Sequence, residues 1–264
     1  MNIVMFRLRS QLKLAQVGGI GLLAAFSSSP ATLLKSTKPS VTFYQYEPCP
    51  YCCKTKAVMD YLQVPYKVIE VNPVTKKELK EITDYSKVPV AVIDGEVVPN
   101  SSDIIARLQN GSGLPPVEKE WSEWVDVKLI TLMPPNIYRT VPEALEAFEY
   151  CLTEGNFTAW ERRLSKYTGA AAMYFISKKL KKKYGIEDER QALYGVTAAW
   201  LEAIGDKPFL GGNEPNLTDV SVFGVFRSIV GLETFNDVMQ NTNLKPWFDR
   251  MSEKVGPSQR IQEA

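Results

Sequence analysis

The 264-residue chain contains no histidine. That excludes imidazole acid–base catalysis, imidazole metal ligation and a histidine-ligated haem. Cysteine is scarce as well. Three of the four, Cys49, Cys52 and Cys53, fall within five positions, and the fourth is Cys151. Thiols so few and so bunched are not the framework that staples a small secreted domain, and an apolar content of 45% supplies a core without one. No acidic residue precedes Glu47, whereas Arg7, Arg9, Lys13, Lys35 and Lys38 do. The overall charge of +1 therefore hides a body with 26 basic against 30 acidic residues, and nothing in that balance suggests nucleic-acid binding. Long apolar runs are missing too. The uncharged stretch from Leu14 to Leu34 has an apolar heart of 13 residues, Leu14 to Phe26, short of the ~20 that span a membrane comfortably.

Basic, acid-free and bearing Ser27, Ser28 and Ser29, residues 1–40 read as a targeting or membrane-anchor segment. A mitochondrial address ranks first, an anchor in a Golgi or endoplasmic-reticulum membrane second, and an inert tail third.

From Val41 the pattern changes. "VTFYQY" and "YKVIEVN" are β-branched and aromatic, as strands require, and "KTKAVMDYL" between them has helical spacing. "TKKELKEIT" (75–83) predicts a second helix. Asp94-Gly95 joins "VPVAVID" to "EVVP" as a hairpin turn, and "SSDIIARL" (101–108) opens a third helix. The order β-α-β-α-β-β-α predicts a small mixed sheet with helices on both faces, its first three strands parallel and the fourth antiparallel. "NGSGLPPVEK" is a Gly/Pro-rich break. Beyond it only helical periodicity appears, with Trp121, Trp124, Val125, Leu129 and Leu132 on one face and further helices over 142–153, 157–183, 188–204, 217–231 and 244–254. The expected organisation is an α/β domain at 41–108, a linker at 109–116, a helical domain at 117–256 and a tail at 257–264. Asn216 and Asp219 form a capping box at one helix start. The run "SKKLKKK" (177–183) is read as a solvated helix end, where the dipole favours lysine, in preference to a membrane-surface patch.

Cys49-Pro50-Tyr51-Cys52 follows a strand and opens a helix. Pro50 suits the first helical position, which puts Cys49 at the helix start, where free N–H groups and the positive dipole end favour the thiolate. Cys49 is the expected nucleophile. Cys52, one turn on, lies within disulfide reach as a resolving thiol, and Cys53 points elsewhere and packs. Lys54 and Lys56 add positive charge. Zinc is the competing use of such a pair, but no histidine and only Cys151 remain to complete a metal site, and Cys151 itself reads as a core residue. Two more stretches fit the same site. A cis Val88-Pro89 peptide would turn the Val88 N–H and C=O toward an extended peptide ligand. Asn100, Ser101 and Ser102 open the third helix, whose free N–H groups and hydroxyls can hold a carboxylate; plain capping is the blander use. A thiolate, a pairing edge and a carboxylate pocket together describe a glutathione site.

These motifs carry a resemblance. The "CPYC" domain is similar to the glutaredoxins and to the N-terminal domain of glutathione transferases. "YQYEPCPYC", "VPYKVIEVNPVTKKELK", "KVPVAVIDGE", "PPNIYRTVPEALEAFEY" and "PFLGGNEPNLTDVSVFGVFR" resemble the membrane-associated prostaglandin E synthase type 2 family. The resemblance implies an α/β thioredoxin-like N-domain followed by an all-α glutathione-transferase-like C-domain. It also implies conversion of the prostaglandin H2 endoperoxide to prostaglandin E2. Cys49 or a glutathione thiol would attack one peroxide oxygen, Tyr46 would hydrogen-bond the reacting sulfur or oxygen, and Val88, Pro89, Asn100, Ser101 and Ser102 would form the glutathione contacts. Members of that family can bind haem with glutathione; this chain has Asn241 and Asn243 where animal relatives carry histidines.

Two other functions compete, a glutathione-dependent thiol transferase and a non-enzymatic glutathione- or haem-binding protein. The expected partners are glutathione, a small-molecule endoperoxide or disulfide, a membrane, and a second copy in a homodimer.

Overall fold

The structure is a computed structural model that describes residues 38–110, 112 and 119–262. The expected targeting segment, apart from residues 38–40, and most of the expected linker lie outside the described residues.

The first half contains β1 (Val41–Gln45), α1 (Pro50–Tyr61), β2 (Tyr66–Glu70), α2 (Lys77–Lys80), β3 (Val90–Ile93), β4 (Glu96–Pro99) and α3 (Ser101–Gln109). The sheet order is β2-β1-β3-β4. β1 and β2 are parallel, with Val41 opposite Tyr66 and Gln45 opposite Glu70. β3 corrects the sequence expectation, because it runs antiparallel to β1, Tyr44 facing Val90. α2 has only four residues, so no long helix carries the chain back along the sheet. The segment from Val71 to Pro89 starts beside Glu70 and returns at Val90 on the same end, beside Tyr44, and β3 runs back along β1. The Asp94-Gly95 turn is as expected, with φ of 52° and 88°, the left-handed pair a two-residue hairpin demands.

One face of this sheet packs Phe43, Ala91 and Ile93 against Met59 of α1 and Ile104 of α3. The other carries Tyr44 and Val90 against Leu79 of α2.

From Lys119 onward the secondary-structure elements among the described residues are helices. α4 (Lys119–Glu123) continues through a π-helical turn (Trp124–Leu129) into α5 (Ile130–Ile137). α6 (Val141–Ala147) and a 3-10 turn (Glu149–Leu152) precede α7 (Ala159–Lys183), α8 (Glu189–Ile204), α9 (Leu217–Arg227), α10 (Glu233–Asn241) and α11 (Lys245–Val255). α10 lies outside the sequence expectation, which carries the preceding helix to 231, whereas that helix stops at Arg227. Gly231, at φ 85°, breaks the chain, and Phe235, Val238 and Met239 then restart the helical period. Trp121, Trp124 and Trp247 each pack against the buried Trp200 ring, with centroids 5.5, 5.9 and 5.3 Å away. No described helix is long and apolar enough to cross a membrane. At the end of α7, Lys178 and Lys181 reach Glu189, consistent with a solvated helix end.

Three devices hold α1, and with it the thiols, against the helical half. Gly224 of α9 meets the α1 backbone so closely that a Cβ there would lie 2.6 Å from the Cys53 carbonyl oxygen. Buried Asp60 accepts hydrogen bonds from the Tyr66 hydroxyl and the Gln259 N–H and pairs with Arg227 at 2.7 Å. Gln259 and Ile261 bond Tyr66 through the backbone, so the expected tail runs along the edge of β2. At the far end of α9, Asn216 and Asp219 form the capping box, and the Asp219 carboxylate also accepts from Leu210 and Gly211 N–H.

Candidate active site

Cys49 is the residue immediately before α1 and Pro50 is its first helical residue. The chain enters tightly, the Cys49 N–H donating to the Tyr46 carbonyl at 3.1 Å. A hydrogen bond from the Cys52 thiol holds the Cys49 thiol below its usual pKa; the Cys52 and Tyr51 N–H groups and the Lys56 charge act in the same sense, against the effect of burial. Cys52 is buried and pushed well above the ordinary range, first by burial and then by its role as donor to Cys49. The two thiols are thus pushed apart, Cys49 downward and Cys52 upward. Cys53 donates to the Glu47 carbonyl at 3.2 Å, and burial raises it to about 11. Cys151 is buried and raised to about 11 for the same first reason.

Lys54 and Lys56 bring positive charge close to the thiols, as expected, but not as free side chains. They are buried, and ion pairs with Asp126 at 2.6 Å and Glu47 at 2.8 Å take up their charge. Lys56 contributes to the Cys49 thiolate from that paired position.

A cavity of about 480 Å³ opens over Cys49. Tyr46, Cys49 and Val88 line it from the first half. Ile130, Pro134, Ile137 and Tyr138 of the α5 region, Phe148, and Met173 and Ile176 of α7 form the other wall. Among the described residues, the charged side chains on the lining are Lys76 and Lys87, both from the segment that returns to β3. Burial raises the Tyr46 phenol, and the Cys49 and Cys52 charges add to this, so the hydroxyl keeps its proton.

The peptide between Val88 and the buried Pro89 is cis. Neither Val88 N–H nor C=O bonds another backbone group among the described residues. Asn100 caps α3 through the Asp103 N–H at 3.0 Å. Ser101 is buried, whereas the exposed Ser102 places its hydroxyl 3.5 Å from Asp126. Asn100, Ser101 and Ser102 do not line the Cys49 cavity; Ser102 lies on a smaller neighbouring one of about 200 Å³ with Lys54 and Val125. The whole helical wall escaped sequence reasoning, as did Lys76 and Lys87. An apolar stripe such as Ile130, Pro134 and Ile137 has the same spacing whether it faces a core or a cavity. Among the described residues no cluster of acidic or thiol side chains is arranged to hold a metal ion.

The glutaredoxin family profile matches residues 41–98. Prostaglandin E synthase 2 of the zebrafish Danio rerio is 37% identical, the match covering 81% of this chain and 71% of that one. Prostaglandin E synthase 2 of Mus musculus is 36% identical over 86% of this chain and 73% of its own length. The chain belongs to the prostaglandin E synthase 2 family. Among solved structures, glutathione S-transferase III in its apo form superposes with a TM-score of 0.55 at 13% identity, covering 81% of this chain and 91% of that one. The family's α/β thioredoxin-like unit, here carrying Cys49, is therefore followed by a glutathione-transferase-like helical unit, and the cavity lies where the two meet.

Proposed function

We propose that the protein isomerises a fatty-acid-derived cyclic endoperoxide, as in the conversion of prostaglandin H2 to prostaglandin E2, with the Cys49 thiolate as the attacking group. One observation carries this reading: a thiol with a lowered pKa opens onto an apolar cavity of about 480 Å³ whose charged lining residues, among those described, are two lysines. The size falls in the ~300–1,000 Å³ range of small-molecule sites. Apolar walls suit the substrate's chains, and Lys76 or Lys87 suits its carboxylate. The names of the zebrafish and mouse relatives agree with it. Attack of the thiolate on one peroxide oxygen breaks the O–O bond. Loss of the hydrogen on the carbon bearing that oxygen then gives the ketone and releases the thiolate. Tyr46, protonated beside Cys49, donates a hydrogen bond to the sulfur or the reacting oxygen.

The residues also fit glutathione. The Val88 main chain is free to pair with a peptide, and the Asn100 side chain caps only Asp103, leaving the Ser101 and Ser102 N–H groups for a carboxylate. When bound, glutathione supplies a second thiol at the site.

A thiol-transferase reaction is the second reading, favoured by the opposite pKa shifts of the neighbouring Cys49 and Cys52 thiols, each of which acts on the other. The full-length protein should be given the endoperoxide and, in parallel, a mixed disulfide of glutathione. The ketone product, formed faster than in protein-free buffer, is the expected result. Disulfide turnover without any catalysed ketone would transfer the assignment to the second reading.

A further inference from the structure

We propose that the Tyr138 hydroxyl is a second catalytic group, the proton carrier of the reaction at Cys49. The inference rests on the endoperoxide reading above. Tyr138 lines the Cys49 cavity from the helical wall, whereas Cys49 and Tyr46 line it from the sheet side. The residue is buried as a whole, yet its hydroxyl is not sealed off: it bonds no group among the described residues and stays accessible at the cavity. Everything else about it is fixed. Its N–H donates to the Pro134 carbonyl at 3.0 Å, its carbonyl accepts the Ser177 hydroxyl at 2.9 Å, and its ring packs on Phe148 with centroids 5.8 Å apart. A hydroxyl with no protein partner at the cavity is free to donate to a substrate oxygen placed there. Burial first, then the Cys49 charge, raises the Tyr138 pKa. The group therefore enters the reaction as a phenol with a proton to give, and its phenolate is a strong base.

The step balances. The Cys49 thiolate forms an S–O bond to one peroxide oxygen as the O–O bond breaks. The other oxygen keeps the electron pair and takes the Tyr138 proton, becoming the ring hydroxyl. The phenolate then removes the hydrogen from the ring carbon that bears the sulfur-bound oxygen. That C–H electron pair becomes the C=O bond, the S–O bond breaks, and the thiolate departs. Tyr138 and Cys49 end as they began. The peroxide has been reduced and the ring carbon oxidised within one molecule, so no outside oxidant or reductant enters.

The test is Tyr138→Phe in the full-length protein, which removes the hydroxyl and keeps the ring on Phe148. General acid–base catalysis contributes about 10²–10⁴-fold, so kcat for the ketone should fall by at least about a hundredfold, with KM nearly unchanged. The deuterium effect on substrate labelled at the ketone-forming carbon should rise as that step becomes limiting, while Cys49 alkylates at its wild-type rate. A kcat within about threefold of wild type would overturn the proposal. So would a parallel loss of kcat and of Cys49 alkylation, which marks a structural role. Should the variant fail to fold, a ring-fluorinated tyrosine at 138 alters acidity without altering packing, and an unchanged kcat with it would overturn the proposal equally. If wild type itself makes no ketone, the isomerase reading falls and takes this proposal with it. An active wild type with an unaffected variant removes Tyr138 alone.

Discussion

Cys49→Ser is expected to lower turnover at least about a thousandfold, roughly 4 kcal/mol on the barrier, while the melting temperature stays close to that of wild type. The side chain shrinks only from a thiol to a hydroxyl at a half-buried position, so packing is nearly conserved. What disappears is the group whose charge the Cys52 thiol and the first N–H groups of α1 stabilise. A serine hydroxyl in the same place remains protonated at neutral pH and is a poor nucleophile without an adjacent base, and this chain has no histidine to provide one. Cys53→Ser should leave most of the activity, because that thiol is raised to about 11 and donates to Glu47. Comparable losses in the two variants, measured as turnover at saturating substrate, would remove Cys49 from its assigned role.

The largest expected effect on stability is at Gly224. A Cβ there would stand 2.6 Å from the Cys53 carbonyl oxygen, 2.7 Å from the Lys54 Cα and 2.9 Å from the Ala57 Cβ. Two of these are backbone atoms, so no rotamer change relieves the clash. Overpacking costs about 1–3 kcal/mol where neighbours can adjust. Gly224→Val, against backbone, should cost at least the upper end of that range. For a chain of this size that lowers the melting temperature by about 6–12 °C. α1 and α9 must separate to admit the side chain, and Cys49 sits at the start of α1. Gly195 in α8 is the control, since a Cβ there meets nothing within 4 Å. Gly195→Ala should be neutral or stabilising by about 0.5–1 kcal/mol through helix propensity. A Gly224→Val protein that melts with the wild type would contradict the close packing of α1 on α9.

Much of this was legible in the sequence, and what was missed follows a pattern. The strand before Cys49, Pro50 at the first helical position, the Asp94-Gly95 turn and the Asn216/Asp219 cap are local signals, each set by a few adjacent residues. The direction of β3 departs from the expectation because "TKKELKEIT" has the composition of a nine-residue crossover helix, while only Lys77–Lys80 form a helix and the chain re-enters the sheet at the end it left. Lys54 and Lys56 look like free charges until Asp126 and Glu47 are brought to them from elsewhere in the chain. Tyr138 and the rest of the helical wall meet Cys49 only through tertiary packing, and nothing in the spacing of "ITLMPPNIY" distinguishes a cavity wall from a core. Ser101 and Ser102 were placed on the third helix correctly, yet they lie outside the cavity over the thiol.

The central claim is that one thiol of the four is set apart by a lowered pKa over the cavity. It is tested most directly by brief alkylation of the native protein across pH 5–10, with each cysteine quantified by mass spectrometry. Cys49 should be labelled first, with a midpoint below the ~8.5 of a free cysteine, and Cys52, Cys53 and Cys151 should react only once the protein is unfolded. Labelling of Cys53 at the rate of Cys49, or a Cys49 midpoint at or above the free value, would contradict it.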